Sequence, residues 1–178
     1  PKPVQEQLPV WIAVGGTPAS VLRAARLGLP IMFAIIGGQP IHFQPLINYY
    51  KENYLEAGHD PNKMQLGINS HTFVGNTNAI KDDYYPFYAA QMDTIGKDRG
   101  WAPFSKDVFL NTARQEGAYF MGDPNAVIDK ILQQHEWFGH TRFVGQMDVG
   151  DPDHNLLMKS IELFGTKVAP EVRKALKK

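Results

Sequence analysis

The chain has no cysteine, which excludes a disulfide framework, a thiolate metal site and a cysteine nucleophile. It carries no net charge either, since 18 Lys and Arg balance 18 Asp and Glu. That balance removes the electrostatic argument for a nucleic acid or an anionic membrane surface as partner. No apolar run reaches bilayer-spanning length; the longest, 29–36, is strand-sized and interrupted by Pro30. The sequence lacks a G-x-G-x-x-G turn, a G-x-S-x-G nucleophile elbow and two histidines four apart beside a glutamate. His135-Glu136 with His140 is no substitute: the histidines are five apart, about 140° round a helix, with Gly139 between them. Asp151-Pro152-Asp153-His154 lacks the ligand spacing and glycine of a calcium loop, so no metal is expected. The start, PKPVQEQLP, is neither a signal peptide nor a methionine start and reads as a connector from something upstream. The expected compartment is the cytoplasm.

What is present suits one domain over residues 1–178. Hydrophobic residues make up 43% of 178 positions, enough for a substantial core. Residues 10–14 read as a strand, 19–27 as a short helix closed by Gly28, and 30–36 as a strand covered on both faces. A helix over about 42–57 carries Phe43, Leu46, Ile47, Tyr50 and Tyr54, and 64–74 is the third strand. A long helix over 77–98 is expected to kink or break at Pro86, and 104–113 adds a helical turn or two. Residues 118–121 read as a short extended piece. Asp123 and Pro124 open a helix that runs to Phe138 and stops at Gly139. Residues 142–149 form the fourth main strand. Gly150-Asp151-Pro152 repeats the same opening for a last helix to about Leu176, striped by Leu156, Leu157, Ile161, Phe164, Val168 and Val172.

Strand then helix, four times over, predicts the α/β class with a parallel sheet. Four such units make either a small open sheet or half of an eight-stranded barrel. The missing G-x-G-x-x-G turn argues against the Rossmann form. The connector-like start favours the C-terminal half of a TIM (β/α)8 barrel.

The stretch 10–20, VWIAVGGTPAS, has chemical potential of its own. It reads as a buried strand, a glycine pair, then a helix start with Thr17 as N-cap and Pro18 first in the helix. Bare backbone at Gly15 and Gly16 admits a close approach, and the helix N-terminus beyond favours an anion such as phosphate. The alternative is a plain tight turn.

Five blocks, in their order and spacing, carry a family pattern. They are PVWIAVGGTPASVLRAARLGLPIMFAIIGG at 9–38, YYKENYLEAGHDP at 49–61, RGW at 99–101, MGDPNAVIDKI at 121–131 and SIELFGTKVAPEVR at 160–173. In these the chain resembles the luciferase-like, flavin-dependent monooxygenases, which include the bacterial luciferase subunits. The resemblance implies a TIM barrel in which 10–14, 30–36, 65–74 and 142–149 are the fifth to eighth strands. It implies FMN, or a deazaflavin, with its ring at the carboxyl ends of the strands. It further implies oxygenation of a small organic substrate, with reduced flavin or NAD(P)H as electron source and a flavin reductase among the partners. A missing N-terminal half-barrel, or a second copy, is expected to close the sheet. Two other readings stand beside it: a catalytically silent flavin-binding or subunit-type relative, and a phosphate-ligand TIM-barrel enzyme without flavin.

The resemblance also assigns residues. In the luciferase branch the turn after the fifth strand gives the flavin a Glu-Ser pair and a Thr three residues past that Ser. Gly16, Thr17 and Ser20 fall at these positions, so the hydroxyls are kept and the acid is replaced by glycine. Ile35 falls beside the flavin, against its other reading as a core strand residue. His71, near the carboxyl end of the third strand, matches a histidine of sulfonate-cleaving members and is the catalytic candidate; its other reading is a hydrogen-bonded barrel histidine. Asn69 shares its face. Gln146 and Asp148 share a face of the last strand and are either pocket-lining or structural. Arg99-Gly100-Trp101 is either a packed loop or a lid.

Overall fold

A nine-residue strand, Leu66–Val74, is the spine of the sheet because it pairs along both edges. The computed structural model describes residues 2–6 and 8–177. Five parallel strands make one sheet: β1 (Ile12–Val14), β2 (Ile31–Ala34), β3 (Leu66–Val74), β4 (Phe120–Gly122) and β5 (Arg142–Gln146). β1 pairs with β2 and β2 with β3; β3 then pairs with β5 through Gly67 to His71 and with β4 through Thr72 to Val74. The main strands therefore follow chain order, as four consecutive βα units require. The strands expected at 10–14, 30–36 and 142–149 are shorter: β1 starts only at Ile12, β2 spans Ile31–Ala34, and β5 ends at Gln146.

Residues paired in register point to the same side of a sheet. One side carries Val14, Phe33, Ile68 and Phe143 in a row. Helix α1 (Pro18–Arg26) and helix α2 (Gln44–Glu56) cover this side with Val21, Ala24, Ala25, Ile47, Tyr50 and Tyr54, all buried. Each large side chain buried there is worth roughly 1.5–3 kcal/mol, so the core lies between sheet and helices. The opposite side carries Ala13, Met32, Gly67 and Arg142, then Ala34, Asn69 and Val144, then His71 and Gln146. Ala13, Arg142, Val144 and Gln146 are exposed and Met32, Ala34 and Asn69 half-buried. That face is open over most of its length. Arg142 stacks its guanidinium 4.7 Å from the Trp11 ring.

Helix α3 (Ile80–Arg99) roofs only the carboxyl end of the open face. Tyr84 stacks on Phe73, ring centroids 3.9 Å apart and 8° from parallel, and Tyr88 meets His71. Four residues of helix rise about 6 Å and two of strand about 6.6 Å, so an antiparallel helix seats two tyrosines over two strand residues. α3 passes Pro86 without the expected break. Pro86 and Asp82, whose carbonyl loses its donor, are both exposed, so that carbonyl stays open to solvent.

Helix α4 (Lys106–Thr112) starts at Ser105, whose hydroxyl accepts from the Val108 N–H. Helix α5 (Pro124–Phe138) has the predicted Asp123 cap and left-handed Gly139 stop. The last helix differs from expectation. It starts at His154, not after Asp151-Pro152, because the Asp153 carboxylate accepts from the N–H groups of both Asn155 and Leu156. It is also not one helix: α6 (His154–Leu163) passes through a π turn, Phe164–Val168, into α7 (Ala169–Leu176). Pro170 has no N–H for the Thr166 carbonyl, and the ladder widens just before it. Ile161 leaves the predicted stripe and is 46% exposed. The inner contact at that turn belongs to Ser160, whose hydroxyl accepts from the Val74 N–H at 2.8 Å.

The loop from β5 to α6 is pinned to α3. Tyr84 donates to the Val149 carbonyl at 2.6 Å, and the Gly150 N–H to the Gln91 side-chain oxygen. Gly150 has φ +90°, and a Cβ there would lie 2.2 Å from the Phe87 carbonyl oxygen.

Candidate functional site

Parallel strands bring all their carboxyl ends to one rim, and the candidate residues divide between two places on it. The first is the turn after β1. Gly16 takes φ +125°, and nothing lies within 4 Å of a Cβ placed on Gly15 or Gly16. Thr17 is the N-cap residue of α1 by position, yet its hydroxyl makes no capping bond. The N–H groups of Gly16, Thr17 and Ala19 have no partner among the described residues. Among the described residues the half-buried Ser20 hydroxyl bonds only with Arg23, whose Nη2 lies 3.4 Å away. Unspent donors, two hydroxyls, one guanidinium and no acid in the first turn fit an anion. The residues present therefore suit a phosphate. Arg23 escaped the sequence reading, although its place three residues after Ser20 on a helix was a visible signal.

The second place is the roofed end of β3. His71 is 7% exposed. Its Nδ1 lies 2.7 Å from the Tyr88 hydroxyl, and its ring stacks on Tyr119, centroids 5.7 Å apart at 27°. Burial pushes the imidazole down to about 4, opposed by the Asp148 carboxylate. His71 is thus a neutral ring at neutral pH. Burial also holds the Tyr88 and Tyr84 phenols well above the ordinary tyrosine value. Gln146 stands beside His71 in register and is exposed, as is Asp148. Asn69, on the same face, donates weakly to the Val144 carbonyl at 3.4 Å.

Other candidates lie elsewhere. Ile35 is on the helix-covered side, wholly buried, and gives its carbonyl to the Ser70 hydroxyl at 2.9 Å. The neighbour on the open side is Ile36, 46% exposed. His135 Nδ1 faces the His140 carbonyl oxygen at 2.9 Å, the two rings lying edge to face. Trp101 is 55% exposed, with the Arg99 guanidinium 5.0 Å from its ring. A cavity of about 420 Å³ lined by Ile131, His140, Phe143, Phe164 and Arg173 lies at the amino end of β5, away from the rim.

Tyr88, Tyr119 and Lys130 were not identified from sequence, because their roles depend on packing between separate elements. Lys130 on α5 is buried and donates to the carbonyls of Arg114 and Tyr119.

A family model described as luciferase-like monooxygenase matches residues 1–141. The chain belongs to the luciferase-like monooxygenase family. The family fold appears in solved structures: monooxygenase RslO1 from Streptomyces bottropensis has TM-score 0.73 at 19% identity, covering 96% of this chain and 50% of that one. The oxygenating constituent of 3,6-diketocamphane monooxygenase from Pseudomonas putida, in complex with FMN, has TM-score 0.61 at 21% identity, with coverages of 90% and 47%. The coenzyme F420 dependent tetrahydromethanopterin reductase from Methanopyrus kandleri has TM-score 0.63 at 18% identity, with coverages of 93% and 51%. An uncharacterized protein of Sinorhizobium fredii, y4vJ, is 31% identical over 74 residues, 42% of this chain and 20% of that protein. The chain spans about half the length of these solved structures. This member of the luciferase-like family has the parallel α/β architecture of half of a (β/α)8 barrel. Among the described residues no helix is long and apolar enough to cross a membrane.

Proposed function

We propose that this chain, as one unit over residues 1–178, is the flavin-phosphate half of an FMN-dependent monooxygenase acting on a small organic substrate. One observation carries the reading: α1 begins with an uncapped N-terminus, a Thr17 hydroxyl without a capping bond, a Ser20 hydroxyl reached by Arg23 and an open glycine pair, on the same rim as His71. The FMN held by the diketocamphane enzyme supports it. A deazaflavin is the alternative, supported by the F420-dependent reductase of similar fold likeness.

When bound in reduced form, the flavin supplies the electrons that activate oxygen. The chain's own residues bind and orient. Thr17 and Ser20 hydroxyls, the Arg23 guanidinium and the N–H groups from Gly16 onward hold the phosphate. Met32, Ala34 and Ile36 offer the ring an apolar surface on the open face, and an N-terminal half-barrel placed over that face excludes water. His71, Gln146 and Asn69 supply polar contacts near the reacting atoms. Reduced flavin comes from a flavin reductase or from NAD(P)H.

The test is FMN titration of the full-length protein by fluorescence quenching. Charge-assisted bonds to phosphate are worth about 1.5–3 kcal/mol each, so Thr17→Ala with Ser20→Ala lowers FMN affinity tenfold or more and leaves riboflavin binding unchanged. Equal FMN affinity in both proteins removes the assignment. Oxygen-dependent turnover of the reduced flavin separates an enzyme from a silent flavin-binding relative.

A further inference from the structure

We infer that Tyr88 is a positioning residue that donates its hydroxyl proton to His71 Nδ1, placing the imidazole proton on Nε2 as a hydrogen-bond donor toward the open face of the sheet. The geometry starts from the 2.7 Å separation of Nδ1 and the phenol oxygen, with the rings 65° apart. Tyr88 is fully buried. Its ring lies among Tyr84, Phe104, Phe109 and Tyr119. A phenol has one proton to give: Nδ1 lies 2.7 Å from its oxygen, and the Tyr119 hydroxyl is its other hydrogen-bond partner. With Nδ1 bare, Tyr88 donates to it and accepts from Tyr119; were Nδ1 protonated, the Tyr88 proton would turn to the Tyr119 oxygen and the Tyr119 proton would lose its acceptor among the described residues. Leaving the Tyr119 donor without that partner disfavours the second arrangement, so the tautomer with a bare Nδ1 is preferred.

The outer nitrogen meets the remaining conditions. Nε2 has no partner among the described residues, yet it is not one of the buried polar atoms sealed from solvent without a bond. The 7% exposure of His71 is left for a ligand to reach. The groups facing the ring are Tyr88 from α3, Tyr119 from the segment before β4, and Asp148 after β5, with uncharged Gln146 beside it. Asp148 is the one acid among them, and burial outweighs it, so the imidazole stays neutral down to about pH 4.

A neutral imidazole whose proton faces outward stabilises developing negative charge on oxygen; it does not abstract a proton at that nitrogen. This catalytic consequence rests on the flavin reading above, whereas the proton's position does not.

The experiment is long-range proton–nitrogen correlation NMR on the full-length protein labelled with 15N-histidine, without flavin. His71 is assigned by the signal lost in His71→Gln. The expected result at pH 7 is a protonated Nε2 and an unprotonated Nδ1, persisting to about pH 5. Tyr88→Phe shifts the Nδ1 resonance and mixes the tautomers. A protonated Nδ1 in the wild-type protein, with Tyr88 passing its own proton to Tyr119, overturns the inference. So does a Tyr88→Phe spectrum that leaves both nitrogens unmoved. The wild-type measurement decides the matter even if the variant misfolds. Loss of FMN binding with the tautomer intact sinks the flavin reading alone.

Discussion

Lys130 donates to the carbonyl oxygen of Tyr119 at 2.6 Å, so a buried cation fixes the residue whose ring lies on His71. The ammonium also reaches the Arg114 carbonyl and lies 5.3 Å from the Phe120 ring centre. A structural pin on α5 thereby becomes part of the site's support.

That pin gives stability a signature in mild alkali. Burial, then the Lys81 charge, lower Lys130 to about 7, against Glu116. The unfolded chain keeps this proton to about pH 10.4. Between pH 7 and 10 the unfolded state binds more protons, so stability rises with pH; below 7 the group adds no slope. Above 10 the raised phenols of Tyr50, Tyr84 and Tyr88 act oppositely, since the folded state keeps their protons longer. Urea denaturation of the wild type from pH 7 to 9.5 is expected to show the rise and Lys130→Met to lack it. At pH 7 the variant loses roughly 2–4 kcal/mol, because two buried carbonyls lose a donor. Equal slopes in the two proteins contradict the assignment.

Acid acts through two histidines. Burial lowers His71 and His140 to about 4, with Asp148 opposing the shift at His71 and His135 adding to it at His140. The unfolded state takes up protons near pH 6.5 and the folded state does not, so stability falls from pH 6.5 to 4, by roughly 3 kcal/mol for each histidine. A denaturation series over this range is expected to slope steeply, and His71→Gln to remove about half of the slope. A flat profile would count against both buried neutral rings.

Gly150→Ala is expected to cost more than 3 kcal/mol. The substitution combines φ +90° with a Cβ 2.2 Å from the Phe87 carbonyl oxygen. Gly15→Ala, where a Cβ meets nothing within 4 Å, is the control and should fall within about 1 kcal/mol of wild type. Similar melting temperatures for the two variants would show that the loop moves off α3 freely.

The 178-residue chain alone is expected to self-associate. β1 and β5 each have one unpaired edge among the described residues, and Val144 and Ile36 are exposed on the open face. Sedimentation velocity at micromolar concentration should show dimers or larger species that disperse when an N-terminal half-barrel is supplied. A compact monomer at every concentration would refute this.

Local chemistry was legible in the sequence, and contact between elements was not. The helix from Asp123 to Gly139 was readable at both ends because cap and stop act within one turn. The same logic failed at Asp151-Pro152, where a second aspartate two residues on offers the better cap. The hydroxyl turn at Thr17 and Ser20 was readable for its local spacing. Tyr88 lies 17 residues from His71, and only the packing of α3 against β3 brings the two together. Strand alternation placed His71 with Asn69, but no spacing in the sequence reveals which side of β2 the helices cover, and so where Ile35 lies.

α3 holds Tyr84 against Val149 and Tyr88 against His71 on successive turns, so the two bonds share one rigid lever. A displacement of the helix would loosen the loop beside Asp148 and let the His71 tautomers mix at the same time. Variants at Tyr84 and Tyr88 should for this reason be non-additive, because one helix seats both the loop and the partner of the His71 ring.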